Sequence, residues 1–319
     1  MQRREFMSLA AGAAAIWPLV AQAQQSAKTR RIAFVHSGIP AAEQTETSAT
    51  YWIRTFFAEL RRLGLVEGTN LVIERFSAEG VSSRYAALAA EIVNAKPEVI
   101  VANSPARLKA LITTIPIVAI MGDPVASGLV TTLARPGGNL TGVSIDGGPG
   151  LIAKRLQILK EAVPAAARIV TLVGSQAEVT RSSALATKLM SEVDGTHLRR
   201  VFAEMVEEKI DAVMIGEHGS FIANRALIAE LAALHRLPVI YPYREYTEAG
   251  GLMAYGPDNG ELAKRMALSV QQILGGSKPG DIPIYQPTKF VMALNLKTAK
   301  ALGLAIPQAV LAQADEVIE

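Results

Sequence analysis

Residues 84–120 read RYAALAAEIVNAKPEVIVANSPARLKALITTIPIVAI. Across Arg84–Asn94, Leu88, Ile92 and Val93 recur at helical spacing, and Pro97 lies just past the end of that pattern. Glu98–Ala102 is then a short apolar run with strand character, Ala106–Ile112 a short helix, and Ile115–Ile120 a second apolar run. Helices alternating with short strands that are apolar throughout define βαβ units and a parallel sheet covered on both faces. The same grammar extends upstream. Arg31–His36 predicts a strand, and Tyr51–Leu63 a helix through Ile53, Phe56, Phe57, Leu60 and Leu63, closed by Gly64 and Gly68. Leu71–Phe76 predicts another strand. Downstream, Pro136-Gly137-Gly138-Asn139 is a turn leading into a strand at Thr141–Ser144.

The pattern then restarts. Helices are predicted over Ile152–Ala162, Ser182–Val193, Leu198–Glu208, Phe221–His235 and Asn259–Leu274. Strands are predicted over Arg168–Val173, Asp211–Ile215, Pro238–Ile240 and Gly251–Ala254. The 319 residues are too many for one small core. The break falls at Asp146–Gly150, an Asp-Gly-Gly-Pro-Gly stretch suited to a hinge. The expected fold class is therefore α/β, with two Rossmann-like parallel-sheet lobes over residues 24–146 and 147–284. Residues 285–319 are expected to return to the first lobe and the hinge. Two open parallel sheets joined this way enclose a cleft, and ligands of such sheets sit at the carboxyl ends of the strands.

Residues 1–23 are a targeting segment. Arg3-Arg4 precede Glu5-Phe6-Met7, an uncharged apolar run covers Leu9–Val20, and Ala21-Gln22-Ala23 supplies a small-x-small cleavage site. The arginine pair resembles a twin-arginine export signal. The apolar run is too short to span ~30 Å of hydrocarbon. The expectation is an exported, soluble, periplasmic protein without stable membrane insertion. With no cysteine in the sequence there is no disulfide, no thiolate metal site, no cysteine nucleophile and no residue for a lipid anchor. The net charge of +3 is spread without a basic block, which argues against a nucleic-acid partner.

Catalytic signatures are missing. The four histidines have no metal-ligand spacing, and Gly142-Val143-Ser144-Ile145-Asp146 lacks the second glycine of a nucleophile elbow. Gly275-Gly276-Ser277-Lys278 follows a helix and lacks the phosphate-loop frame. No cofactor, no metal and no enzymatic activity are expected.

Three segments carry a resemblance. Ile115–Ser144 (IPIVAIMGDPVASGLVTTLARPGGNLTGVS), Leu237–Asp258 (LPVIYPYREYTEAGGLMAYGPD) and the tail Gln286–Glu319 resemble, in order, ABC transporter substrate-binding proteins related to the tryptophan/tyrosine-type binding proteins. The resemblance implies a type I periplasmic-binding-protein fold and hinge closure on a small organic ligand, an amino acid or an aromatic or carboxylate compound. It also implies delivery to an ABC-type membrane permease. A receptor presenting its ligand to a membrane sensor would share these features, and a periplasmic enzyme would need a constellation in the cleft. There is one departure: where the family carries a helix, a strand and a helix between the first two strands of the second lobe, Ser191–Arg199 (SEVDGTHLR) is short and no strand stands out. A lost or shortened sheet strand is expected there.

Candidate ligand-binding residues are those at strand ends facing the cleft. In the first lobe these are His36, Ser37, Asn103, Ser104, Asp123 and Ser144; in the second, Ser175, Glu217, Tyr241 and Tyr243. Ser104 before Pro105 suits either a helix cap or a carboxylate site at a helix start. Asp123, between Gly122 and Pro124, suits either a ligand ammonium group or a turn. Glu217 beside His218 suits a ligand contact, an acid–base pair or plain solvation. Tyr241, Tyr243, Tyr246 and Tyr255 cluster, and tyrosine offers a flat apolar face with a hydroxyl.

Overall fold

The computed structural model describes residues 29–103, 105–174, 179, 186–190 and 193–319. The first sheet forms as the sequence dictates. In chain order the elements are β1 (Arg30–His36), α1 (Tyr51–Arg62), β2 (Leu71–Ser77), α2 (Tyr85–Asn94), β3 (Val99–Asn103), α3 (Ala106–Leu111), β4 (Ile117–Met121) and β5 (Leu140–Ser144). The strands are parallel in the order β2-β1-β3-β4-β5. Alternate residues of one strand serve opposite layers. Ile32 and Phe34 of β1 pack with Ile53, Phe56 and Leu60 of α1, whereas Ala33 and Val35 pack with Tyr85, Leu88 and Ile92 of α2. Val93, expected on the buried stripe of α2, is about half exposed.

The second sheet follows with α4 (Pro149–Ala162), β6 (Ile169–Val173), β7 (Ala186–Leu189), α5 (Gly195–Glu207), β8 (Ala212–Ile215), α6 (Gly219–Ala223), α7 (Arg225–Leu234), β9 (Val239–Tyr241), α8 (Glu245–Glu248) and β10 (Met253–Pro257). Then come α9 (Asn259–Leu274), β11 (Phe290–Asn295), α10 (Leu296–Ala301), α11 (Gln308–Leu311) and β12 (Glu316–Ile318). Its order is β12-β11-β10-β9-β8-β6-β7, and only the β10–β11 pair is antiparallel. The run β7-β6-β8-β9-β10 repeats the first sheet's β2-β1-β3-β4-β5, so each sheet reverses direction between its first and third strands.

Three expectations are corrected. Of the helix expected over Ser182–Val193, residues 182–185 and 191–192 lie outside the described residues, and Ala186–Leu189 is a strand, which pairs with β6 at the sheet edge. The second sheet thus keeps its edge strand in shortened form, only partly buried and therefore without an apolar pattern in the sequence. The helix expected over Phe221–His235 is two helices separated at Asn224. The lobe boundary is also redrawn. Helix α9, expected in the second lobe, lays Leu262, Met266, Val270 and Ile273 against α1 and the first sheet. The tail, expected on the first lobe, supplies β11 and β12 to the second sheet.

The chain therefore passes between the sheets three times: at residues 145–148, at Asp258, and at residues 286–289. Before the third passage Tyr285 pairs with the edge of β5, its N–H donating to the Gly142 carbonyl at 2.9 Å and its carbonyl accepting from Ser144 N–H at 2.8 Å. Ile145, on the first passage, packs against the cores of both lobes.

Trp52 on α1 stacks between Phe34 and His36, and in a chain starting at Gln24 it is the sole tryptophan. Removing the fully buried Met266 side chain should cost about 2–5 kcal/mol. Met266→Ala is expected to lower the denaturation midpoint reported by Trp52 fluorescence. A midpoint unmoved would mean that α9 does not contribute to the first lobe.

Candidate functional site

Because the central strands are covered on both faces, polar side chains appear at the strand ends. Sheets of this order bind ligands at the point where the strand order reverses. In the first sheet that point lies between β1 and β3. There Asn103 Oδ1 accepts from Ser37 N–H at 2.7 Å, and Asn103 Nδ2 donates to Ser37 Oγ at 2.9 Å. Ser37 Oγ accepts here, and its own hydrogen has no acceptor among the described residues. His36 supports this loop from below: Nδ1 accepts from the N–H groups of Gly38 at 3.0 Å and Ile39 at 2.8 Å. Burial pushes the imidazole down to about 3, so it stays neutral and serves as an acceptor.

The equivalent point of the second sheet lies between β6 and β8. Gly174, after β6, is pressed against the His218 ring, which a Cβ would meet at 2.3 Å. His218 accepts from Ser220 N–H at the start of α6, and burial lowers its pKa. Glu217 turns away from it toward α4, where Oε1 accepts from Arg155 Nη2 at 2.8 Å. Arg155 Nε donates to the Tyr255 carbonyl of β10 at 2.6 Å. Both side chains of this ion pair are at least nine-tenths buried. Tyr243 lies alongside; burial first, and then the charge of Glu217, push its hydroxyl well above the usual range. The Ser37–Gly38 loop meets α6 of the second lobe, where a Cβ on Gly38 would stand 3.5 Å from that of Ala223.

The remaining candidates fare differently. Asp123 Oδ1 accepts from the N–H groups of Val125 and Ala126, both at 2.9 Å, so this carboxylate shapes a turn. Ser144 donates to the Gly122 carbonyl at 2.9 Å and accepts from Asp146 N–H at 3.0 Å, which places it in the first inter-lobe passage. Tyr241 is wholly buried in the second core, its ring stacked on Tyr246 at 4.6 Å. Ser104 and Ser175 lie outside the described residues.

Sequence reasoning missed Arg155. The signal was an arginine on the buried stripe of α4, in helical register with Leu151, Ile158, Leu159 and Ala162. It also missed two inter-lobe contacts at the second passage. Arg244 lies over the Tyr51 ring at 4.8 Å, and buried Glu245 accepts from Asn259 Nδ2 at 3.3 Å. Among the described residues, no group of three or more His, Asp or Glu side chains could hold a metal ion, and no helix is long and apolar enough to cross a membrane.

The model of the family of ABC transporter substrate binding proteins matches residues 43–318. The chain belongs to this family. It is 26% identical over 268 residues to a tyrosine-binding protein of Clostridioides difficile, covering 78% of this chain and 75% of the relative. The fold is shared with a Vibrio cholerae conserved domain protein, at a TM-score of 0.79 and 24% identity over 91% of this chain and all of that one. A Streptococcus pneumoniae domain solved in complex with L-Trp matches at 0.78 and 21% identity, again over 91% and all of each chain. These neighbours establish the type I periplasmic-binding-protein fold for this substrate-binding protein.

Glu245 is the titrating group at the second passage. Glu245 Oε2 and Asn259 Oδ1 are both buried and both lack a hydrogen-bond donor. A proton on Glu245, or the amide of a glutamine, would give that buried side chain a donor of its own. Burial raises the Glu245 carboxyl above its ordinary value, with a smaller push from Glu248 opposed by Asn259 and Arg244. The folded state therefore binds this proton more tightly than the unfolded chain. Its stabilising contribution is complete below the ordinary carboxylate range and is lost as pH rises through the raised value. Glu245→Gln is expected to raise the melting temperature at neutral pH by roughly 2–4 °C for each ~1 kcal/mol regained, with no gain near pH ~4. Calorimetric scans across pH check this; a gain independent of pH would remove the titration from the account.

Proposed function

We propose that this substrate-binding protein is exported to the periplasm, captures an amino acid with an aromatic side chain between its lobes, closes on it, and delivers it to an ABC-type membrane permease. One observation carries the reading. The loop after β1 meets α6 of the other lobe at Gly38 and Ala223, and the two strand-order reversals carry a hydroxyl at Ser37, held by Asn103, on one lobe and a carboxylate at Glu217 on the other. A zwitterion has groups of both kinds. The tyrosine-binding relative supports an amino acid as the ligand, and Tyr243 beside Glu217 supplies an aromatic neighbour. Closure would be a rotation about residues 145–148, Asp258 and 286–289, the only inter-sheet passages among the described residues.

Binding is tested by isothermal titration of the chain from Gln24 with L-tyrosine and L-tryptophan, followed by small-angle scattering at saturation. Micromolar or tighter affinity for at least one, together with a smaller radius of gyration, is expected. No binding at ~1 mM of either would reject the amino-acid reading.

Export is tested separately. Replacing Arg3 and Arg4 by lysine should leave precursor in the cytoplasm, read by fractionation, whereas unchanged secretion would exclude the twin-arginine route.

A further inference from the structure

The Arg155–Glu217 pair is nearly buried and leaves one carboxylate oxygen without a hydrogen bond from the described residues. The Arg155 side chain is 4% exposed, with Nε on the Tyr255 carbonyl and Nη2 on Glu217 Oε1. The backbone presses on it as well: a Cβ on Gly256 would stand 3.2 Å from Nη2 and 1.9 Å from the Pro242 carbonyl oxygen. Glu217 is 10% exposed, and its second oxygen, Oε2, accepts no hydrogen bond from the described residues, yet it is not among the atoms sealed from solvent. An ionised carboxylate carries lone pairs on both oxygens. One is committed to Arg155, and the other stands open at the strand-order reversal of the second sheet.

We infer that Glu217 Oε2 accepts the ligand's ammonium group, and that Arg155 is a positioning residue that holds this carboxylate in place; the inference rests on the amino-acid reading above. The groups facing Glu217 fit an added cation. Tyr243 is a neutral phenol, and His218 is held neutral by burial. Arg155 and Glu217 cancel, so a bound ammonium leaves one positive charge, which the ligand's own carboxylate balances on the opposite lobe. There the donors are uncharged, Ser37 Oγ–H foremost. The pair therefore selects amino acids against carboxylic acids of the same shape that lack the amine.

The test compares L-tyrosine with desaminotyrosine, which differs by the missing amine, on wild type, Glu217→Gln, Arg155→Lys and Arg155→Met. Glutamine at 217 preserves an acceptor for Arg155, so Glu217→Gln should fold with a melting temperature close to that of wild type. We expect wild type to prefer L-tyrosine by ~100-fold or more. Glu217→Gln should weaken L-tyrosine by ~10- to 100-fold and leave desaminotyrosine within about twofold, so the preference collapses. Arg155→Met should erode the same ratio, with Arg155→Lys restoring part of it. A Glu217→Gln protein that folds and keeps the wild-type ratio would overturn the inference while leaving amino-acid capture intact. A wild type that binds desaminotyrosine as tightly as L-tyrosine would overturn it as well. Binding of neither compound by wild type would instead remove the amino-acid reading, and this inference with it.

Discussion

Burial of both sheets on two faces governs where polar chemistry can appear in this molecule. A strand such as β3 buries Val99 and Val101 in one layer and Ile100 and Ala102 in the other, which leaves no solvent face along its length. An unpaired polar side chain on such a strand would cost on the order of 1–3 kcal/mol. Hydroxyls, amides and carboxylates accordingly gather at strand ends, and Thr171 in the middle of β6, whose buried Oγ1 has no hydrogen-bond partner among the described residues, is an exception. At the carboxyl ends, with the strand order reversing at the same place in both sheets, they converge: Ser37 with Asn103 on one lobe, Glu217 with Arg155 on the other.

This constraint also explains what could be read from the sequence. Strands that run apolar from end to end, such as Ile117–Met121 and Ala212–Ile215, announce themselves, and so do helices with one clear apolar stripe, such as Asn259–Leu274. The edge strand Ala186–Leu189 does not, because an edge strand that is only partly buried needs no apolar pattern, and its residues suit a helix equally well. Helix α9 shows a different kind of blindness. Its stripe of Leu262, Met266 and Val270 says that it packs on something apolar, but a stripe carries no address. The first sheet claims it only because the chain crosses at Asp258 immediately before it.

The site was legible in type and only partly in detail. Strand-end positions named Ser37, Asn103 and Glu217, and the structure joins Ser37 to Asn103 at the ends of β1 and β3 and places Glu217 just after β8. Sequence gives no means of separating Glu217 from Asp123, since both are acidic residues just past apolar strands. What separates them is the company each keeps: Asp123 turns its Oδ1 onto two N–H groups of its own loop, whereas Glu217 reaches 62 residues back to an arginine on another element. Tyr241 was misleading because a tyrosine at the end of a strand suits a cleft and a core alike, and here its ring is needed to stack on Tyr246 within the second core.

The Arg155–Glu217 pair is best understood through what it costs. Removing two charges from water is expensive, and the attraction between them offsets this only with good geometry and further hydrogen bonds; well-packed apolar residues often do as well or better for stability alone. Arg155 bonds Tyr255 through Nε and Glu217 through Nη2, and Glu217 leaves one oxygen unused among the described residues. Leaving one open at the strand-order reversal makes sense if a third partner arrives from the gap, and the closing of the lobes then completes a set of hydrogen bonds that the unliganded second lobe holds unfinished.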